Sequence, residues 1–267
     1  MPTKLASNQQ QIGAWLLPVA SGAATLQHFN LLSEAERIAA QRILSAEEKN
    51  IFVVSKAFLR ILLQAHTDIP ANEWSFETNA FGRPFVKYPA QYRNLYFSVS
   101  HTKGLTACVL AETSEIGIDV ENITQDRPFI DIARSFFSSK EFDVLAATPR
   151  QELNRKFYAY WTLKEAYVKA MGIGLSISLS SFWFDLKPRP HIFFCAESEQ
   201  NPDEWRFLSH SLTDQIHLSL AIRTLAMADV DLRLSWVQPD FLAAVQLQTR
   251  SDIAMLAKGI HATSIET

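Results

Sequence analysis

Helices followed by strand-like runs, and then the same order again within about 240 residues, constrain the fold more than any single motif. Ser33-Glu-Ala-Glu36 and Ser45-Ala-Glu-Glu48 fit the capping box, in which a Ser hydroxyl accepts an orphan amide and the Glu three residues on reaches back. They open two helices. The second, from Ala46 to His66, sets Ile51, Phe52, Phe58, Leu59, Leu62 and Leu63 on one stripe. A turn at Gly82-Arg-Pro84 and strand-like runs at Leu95 to Ser100, Leu105 to Glu112 and Ile116 to Val120 follow. The second round has a helix at Ile130 to Phe137, a capping box at Ser138-Ser-Lys-Glu141 opening Phe142 to Ala146, and a long helix from Gln151 to Met171. Its strands are predicted at Ser181 to Leu186, Ile192 to Cys195, Trp205 to Leu208, Ile216 to Arg223 and Val230 to Val237. The expectation is an α+β protein of two similar halves, 1–122 and 123–238, joined near a turn at Asp126-Arg-Pro128, with the site in the cleft between them. No repeat of individual residues is visible. Residues 239–267 read as a helix-like appendage without an assigned role.

Composition narrows the function classes. Of 267 residues 48% are apolar and 20% charged, enough for a large core. Twenty-five Lys and Arg against 28 Asp and Glu leave a net charge of -3, so no overall basic field draws in nucleic acid or an anionic membrane. No apolar run nears the roughly 18 residues of a membrane span. Cys108 and Cys195 lie in apolar runs without metal-ligand spacing and read as buried free thiols, which suits a reducing cytoplasm. The apolar piece from Ala14, broken at Pro18, is too weak and too late for a secretory signal.

Three segments carry chemistry. In Ile116-Gly-Ile-Asp-Val-Glu121, strand alternation sets the apolar residues on one face and Asp119 with Glu121 on the other, where two carboxylates can share a hard cation; a solvated strand end is the plainer reading of the motif alone. In the long helix, an advance of about 100° per residue puts Glu165 and Lys169 on one face with Trp161 beside them, and Lys164 on another. An exposed ion pair would account for Glu165 and Lys169, but this helix is apolar nearly all round, and charges on such a helix need partners or a function. Phe97-Ser-Val-Ser-His101 ends in donors suited to an anion, although Ser100 and His101, adjacent on a strand, point apart and cannot form a nucleophile and base pair.

In order, Gly82-Arg-Pro84, Phe97-Ser-Val-Ser-His101, Ile116-Gly-Ile-Asp-Val-Glu121 and Trp161-Thr-Leu-Lys-Glu-Ala-Tyr-Val-Lys169 resemble the signature of the 4'-phosphopantetheinyl transferases, in their long, pseudo-dimeric class. Phe136-Phe-Ser-Ser-Lys-Glu141 also matches the family's pattern before its long helix. The resemblance spans residues 33–236. It implies an intramolecular pseudo-dimer with coenzyme A and Mg2+, or Mn2+, in the cleft, moving phosphopantetheine to a serine of an acidic acyl or peptidyl carrier protein and releasing adenosine 3',5'-bisphosphate. It further implies Asp119, Glu121 and Glu165 as metal ligands, Glu165 as a ligand that serves as base as well, Lys169 near the CoA diphosphate, and Ser100 and His101 on CoA phosphates. Arg83, followed by Pro84, stands where the family usually has lysine. Where the family carries a basic residue in its first long helix, nine before the arginine that Arg60 resembles, this chain has Ile51; Arg37 is the expected substitute for the 3'-phosphate, with Arg42 and Lys49 as alternatives. A cytoplasmic monomer is expected. The competing readings are a metal-dependent phosphodiesterase or nuclease, disfavoured by the acidic chain and by a lysine on a helix, and an inactive carrier-binding module, disfavoured by the intact carboxylates.

Overall fold

The structure, a computed structural model, describes residues 10–124, 127–196, 198–224, 230–239, 241–242 and 262–265. In chain order the elements are β1 (Gln10–Pro18), α1 (Leu26–Leu31), α2 (Glu34–Arg42), α3 (Ala46–His66), β2 (Ser75–Thr78), β3 (Pro84–Tyr88), β4 (Tyr96–Thr102), β5 (Leu105–Ala111) and β6 (Ile116–Asn122), then α4 (Phe129–Phe136), α5 (Ser139–Ala146), α6 (Arg150–Met171), β7 (Phe182–Asp185), β8 (His191–Phe194), β9 (Trp205–Ser211), β10 (Ile216–Arg223), β11 (Val230–Trp236) and β12 (Ala262–Ile265). The helix starts follow the serines: Ser33 with Glu36, and Ser138 with Glu141, form reciprocal caps, and the Ser45 hydroxyl accepts from the Glu48 amide.

The strands build a five-stranded sheet, in the order β12-β11-β1-β5-β4, and a three-stranded one, β6-β10-β9; β2 with β3 and β7 with β8 are separate hairpins. This is a mixed α and β protein in four layers. Apolar residues of α3 meet Leu17, Phe97, Cys108 and Leu110 on one side of the large sheet. Between the sheets lies a second core, in which Ile12, Ala14 and Leu16 face Ile116, Ile118, Val120, Leu218 and Leu220. Helix α6 covers the small sheet with Phe157, Leu163, Ala166 and Ala170. The alternation along β6 therefore holds: its Ile and Val side chains enter the inter-sheet core, leaving Gly117, Asp119 and Glu121 toward α6.

Each round of strands lends its last member to the other sheet. β6 follows β5 in the chain yet pairs with β10, and β11 follows β10 yet runs parallel to β1. The repetition reaches side chains that the sequence hid. Glu36, a cap residue, meets the buried Arg60 guanidinium at 2.8 Å, and Arg60 stacks on Phe76 at 4.8 Å. Glu141, the equivalent cap residue, meets the buried Lys164 ammonium at 2.8 Å, and Lys164 lies over Phe182 at 4.3 Å. Cap, cation and ring recur, but with a different cation, so no string of identical letters marks the repeat.

Two segments and one thiol differ from expectation: Cys108 is buried within β5, but Cys195, just past the end of β8, is exposed. The apolar piece around Ala14 is β1, inside the large sheet between β5 and β11, because alternate residues Ile12, Ala14 and Leu16 fit the inter-sheet core. Of the appendage, expected to be helical, Phe241 and Leu242 are buried against the α3 side and 262–265 form β12; residues 240, 243–261 and 266–267, like Asp126 of the expected turn, lie outside the described residues.

Candidate active site

Helix α6 crosses β6 at Gly117, where backbone touches backbone. A Cβ there would stand 2.6 Å from the Ala170 nitrogen and closer still to the Ala166 carbonyl oxygen. This contact brings the C-terminal half of α6 against the polar face of β6. Lys169 Nζ then reaches Asp119 Oδ1 at 2.6 Å, Ser100 Oγ at 2.9 Å and the Ile118 carbonyl at 3.2 Å. Ser100 Oγ in turn donates to Asp119 Oδ1 at 2.9 Å. The other oxygen of that carboxylate, Oδ2, is buried and has no partner.

Beside this cluster opens a cavity of about 460 Å3, walled by α3, the hairpin of β2 and β3, β4 and the end of α6. Phe52, Lys56, Phe76 and Arg83 line one side; His101, Glu165 and Lys169 line the other. The electrostatics are unbalanced toward negative charge in one place. Burial and the neighbouring Asp119 raise the Glu121 carboxyl to about 7, against weaker pulls from Arg127, a Trp161 hydrogen bond and Lys169. Burial and Asp119 also raise Glu165, with Lys169 opposing. Burial, then Lys169 and Lys56, lower His101, with Asp119 opposing.

Among the described residues no three His, Cys, Asp or Glu side chains form a ready-made metal cage. The donor set nevertheless suits a hard divalent cation. An unpartnered buried carboxylate oxygen and two carboxyls kept reluctant to ionise are relieved by positive charge, and Mg2+ takes one or two carboxylates and completes its shell with water and substrate oxygens.

Most of the residues expected from the sequence gather here. Pro84, His101, Glu165 and Lys169 line the cavity, with Asp119 and Ser100 joined to Lys169 behind its wall. Arg83 lines it too, but its guanidinium donates to the Ala170 carbonyl at 2.7 Å and the Ile116 carbonyl at 3.1 Å, clasping the hairpin to α6 and β6. Arg37 is not among the lining residues; helix α2 presents Glu36 instead. The cation that sequence reading missed is Lys56, one turn before Arg60 on the face of α3 that meets the hairpin. Its signal was its i, i+4 spacing to Arg60. Lys164, separated from Glu165 by helix geometry, is a buried structural ion: Nζ bonds Glu141 and the Leu179 and Phe182 carbonyls.

Comparison with known proteins sets the chain beside one family. A family model described as the 4'-phosphopantetheinyl transferase superfamily matches residues 115–221, which hold Asp119, Glu121, Glu165 and Lys169. The chain is similar to a 4'-phosphopantetheinyl transferase of Bacillus subtilis, 30% identical over 180 residues, covering 67% of this chain and 70% of the relative. It is similar to the 4'-phosphopantetheinyl transferase HetI of Nostoc sp., 28% identical over 176 residues, 66% of this chain and 74% of that one. A human relative, L-aminoadipate-semialdehyde dehydrogenase-phosphopantetheinyl transferase, is 27% identical over 225 residues, 72% of this chain and 71% of its own. A solved structure, the holo-[acyl-carrier-protein] synthase of Thermotoga maritima, covers 42% of this chain and 63% of its own at 20% identity and a TM-score of 0.33.

Proposed function

Because the chain belongs to the 4'-phosphopantetheinyl transferase superfamily, we propose that it moves 4'-phosphopantetheine from coenzyme A to a serine hydroxyl of an acyl or peptidyl carrier protein. The observation that carries this reading is the meeting of Asp119, Ser100, Glu165 and Lys169 at the wall of one cavity. CoA occupies that cavity. Lys56 rather than Arg37 meets its 3'-phosphate, since Lys56 is the α3 cation that lines the space, and His101 and Pro84 border the same ligand.

The serine oxygen bonds to the phosphorus that bears the pantetheine arm while that phosphorus loses its bond to the bridging oxygen of the diphosphate. The departing electron pair leaves on adenosine 3',5'-bisphosphate. Glu165 takes the serine proton, directly or through water, and burial with the neighbouring Asp119 raises its carboxyl above the ordinary range, which makes it a stronger base. Lys169 meets the charge that grows on the departing phosphate. Asp119, Glu121 and Glu165 hold Mg2+ or Mn2+, which supplies a positive charge for the diphosphate oxygens.

The halves 1–122 and 123–238 act as an intramolecular pseudo-dimer, a reading supported by the matched sets of cap, cation and ring and by the exchange of β6 and β11. The partner is an acidic, serine-bearing carrier; the protein works as a monomer in the cytoplasm. Among the described residues no helix is long and apolar enough to cross a membrane. The test is the intact mass of apo carrier proteins after incubation with the protein, CoA and Mg2+. A gain of about 340 Da that vanishes with EDTA and in Glu165→Ala is expected. No gain on any carrier, with CoA bound, would mean an inactive module.

A further inference from the structure

Strand β6 has two edges, and among the described residues only one is paired by another strand. Its backbone joins β10 from Ile116 to Asn122. Along an antiparallel strand, alternate amides point away from the partner, and on β6 those of Ile118, Val120 and Asn122 meet no strand. They meet hydroxyls instead. Ile118 N donates to Ser98 Oγ at 3.1 Å, Val120 N to Ser100 Oγ at 3.3 Å and Asn122 N to Thr102 Oγ1 at 2.9 Å. The acceptors are every second residue of β4, hence one face of that strand, and each lies 20 residues before its donor. The face of β4 is thus stitched in parallel to the free edge of β6, joining the large sheet to the small one. Ser100 also serves the Asp119 and Lys169 cluster; Ser98 is also a lining residue of the cavity, and Thr102 is not.

We propose that Ser98 and Thr102 are positioning residues: their side chains fix the register of β6 and so hold Asp119 and Glu121 against α6. The proposal rests on the transferase reading for its consequence and on the hydrogen bonds alone for its geometry. A one-residue slip of β6 would turn both carboxylates into the inter-sheet core, so the seam guards the face on which they stand. Alanine or valine at these positions would leave room for such a slip, or for water at the amides. A hydroxyl of either kind would not.

The experiment takes the full chain with Ser98→Ala, Thr102→Val and the conservative Thr102→Ser. Amide hydrogen exchange is read at Ile118, Val120 and Asn122, Mn2+ affinity by electron paramagnetic resonance, and kcat and KM for CoA by carrier modification. Ser98→Ala should speed exchange at Ile118, and Thr102→Val at Asn122, each at least tenfold. Both should weaken Mn2+ binding fivefold or more and lower kcat, with KM for CoA within twofold for Thr102→Val, which lies outside the cavity lining, and Thr102→Ser close to the parent. Unchanged exchange with unchanged Mn2+ affinity in both variants overturns the proposal, and so does a Thr102→Ser variant as impaired as Thr102→Val. If Ser98→Ala does not fold, the half-buried Thr102 pair decides alone. A parent protein that binds no Mn2+ and modifies no carrier defeats the transferase reading, while its exchange rates still judge the seam.

Discussion

Gly117→Ala tests the link between the fold and the site with a single methyl group. The added Cβ would lie 2.6 Å from Ala170 N and nearer to Ala166 O, where ordinary contact begins at 3.4 Å, so α6 and β6 must part by more than the roughly 0.8 Å that the Ala170 contact alone requires. Both obstructing atoms belong to the helix backbone, and no side chain can swing aside. Overpacking of this kind costs about 1–3 kcal/mol, which for a chain of this size lowers Tm by roughly 2–12 °C. The separation opens along the line that joins Asp119 to Glu165 and Lys169, whose 2.6 Å ion pair lengthens with it. A displacement of about 1 Å at a reacting centre can cost on the order of 100-fold. The loss should therefore sit in kcat, because the cavity walls supplied by α3 and the hairpin stay in place. Steady-state carrier modification and differential scanning calorimetry read both quantities. If Gly117→Ala keeps kcat within threefold and Tm within about a degree, the close crossing of helix and strand is not what places the carboxylates.

Glu141→Ala should destabilise by about 4 kcal/mol in urea unfolding, since Lys164, whose pKa burial already lowers, is left charged without its partner and Ser138 loses its cap; a loss under about 1 kcal/mol would refute this. His217, buried against Ser209 and Ser211, has its pKa pushed down to about 4, chiefly by burial, so the unfolded chain binds its proton first and stability falls as pH drops from 6.5 toward 4, by about 3 kcal/mol. The slope of Tm against pH over that window should flatten in His217→Asn, and an unchanged slope would place the proton elsewhere. Lys56→Gln should raise KM for CoA about tenfold yet leave KM for dephospho-CoA unaltered; an equal rise for both would remove Lys56 from the 3'-phosphate.

Local rules carried the sequence reading far. The serine caps fixed where α2, α3 and α5 begin, the 3.6-residue period separated Lys164 from Glu165, and strand alternation set Asp119 and Glu121 apart from Ile118 and Val120. What stayed hidden is long-range. Nothing local says that Glu141, a cap residue, is also the counter-ion of a lysine 23 positions on, or that Ser98 and Thr102 accept from amides 20 positions away. β1 escaped because its alternation is diluted by Gly13 and Trp15, and only its neighbours on both sides reveal it as an interior strand. Lys56 was passed over for Arg37 because helix register tells which residues share a face, not which face meets a hairpin contributed from elsewhere.

The exchange of strands sets an order on synthesis. β1 is made long before its parallel neighbour β11, which ends at Trp236, so one flank of the growing sheet stays bare while some two hundred residues are added. The same holds for β6, whose neighbour β10 comes after α6. The first round of elements therefore cannot finish folding before the second is made, and a nascent chain halted between them carries two unpaired strand edges, the condition in which association with other chains competes with folding. By the same linkage, the carboxylates of β6 meet Glu165 and Lys169 only after α6 has been made.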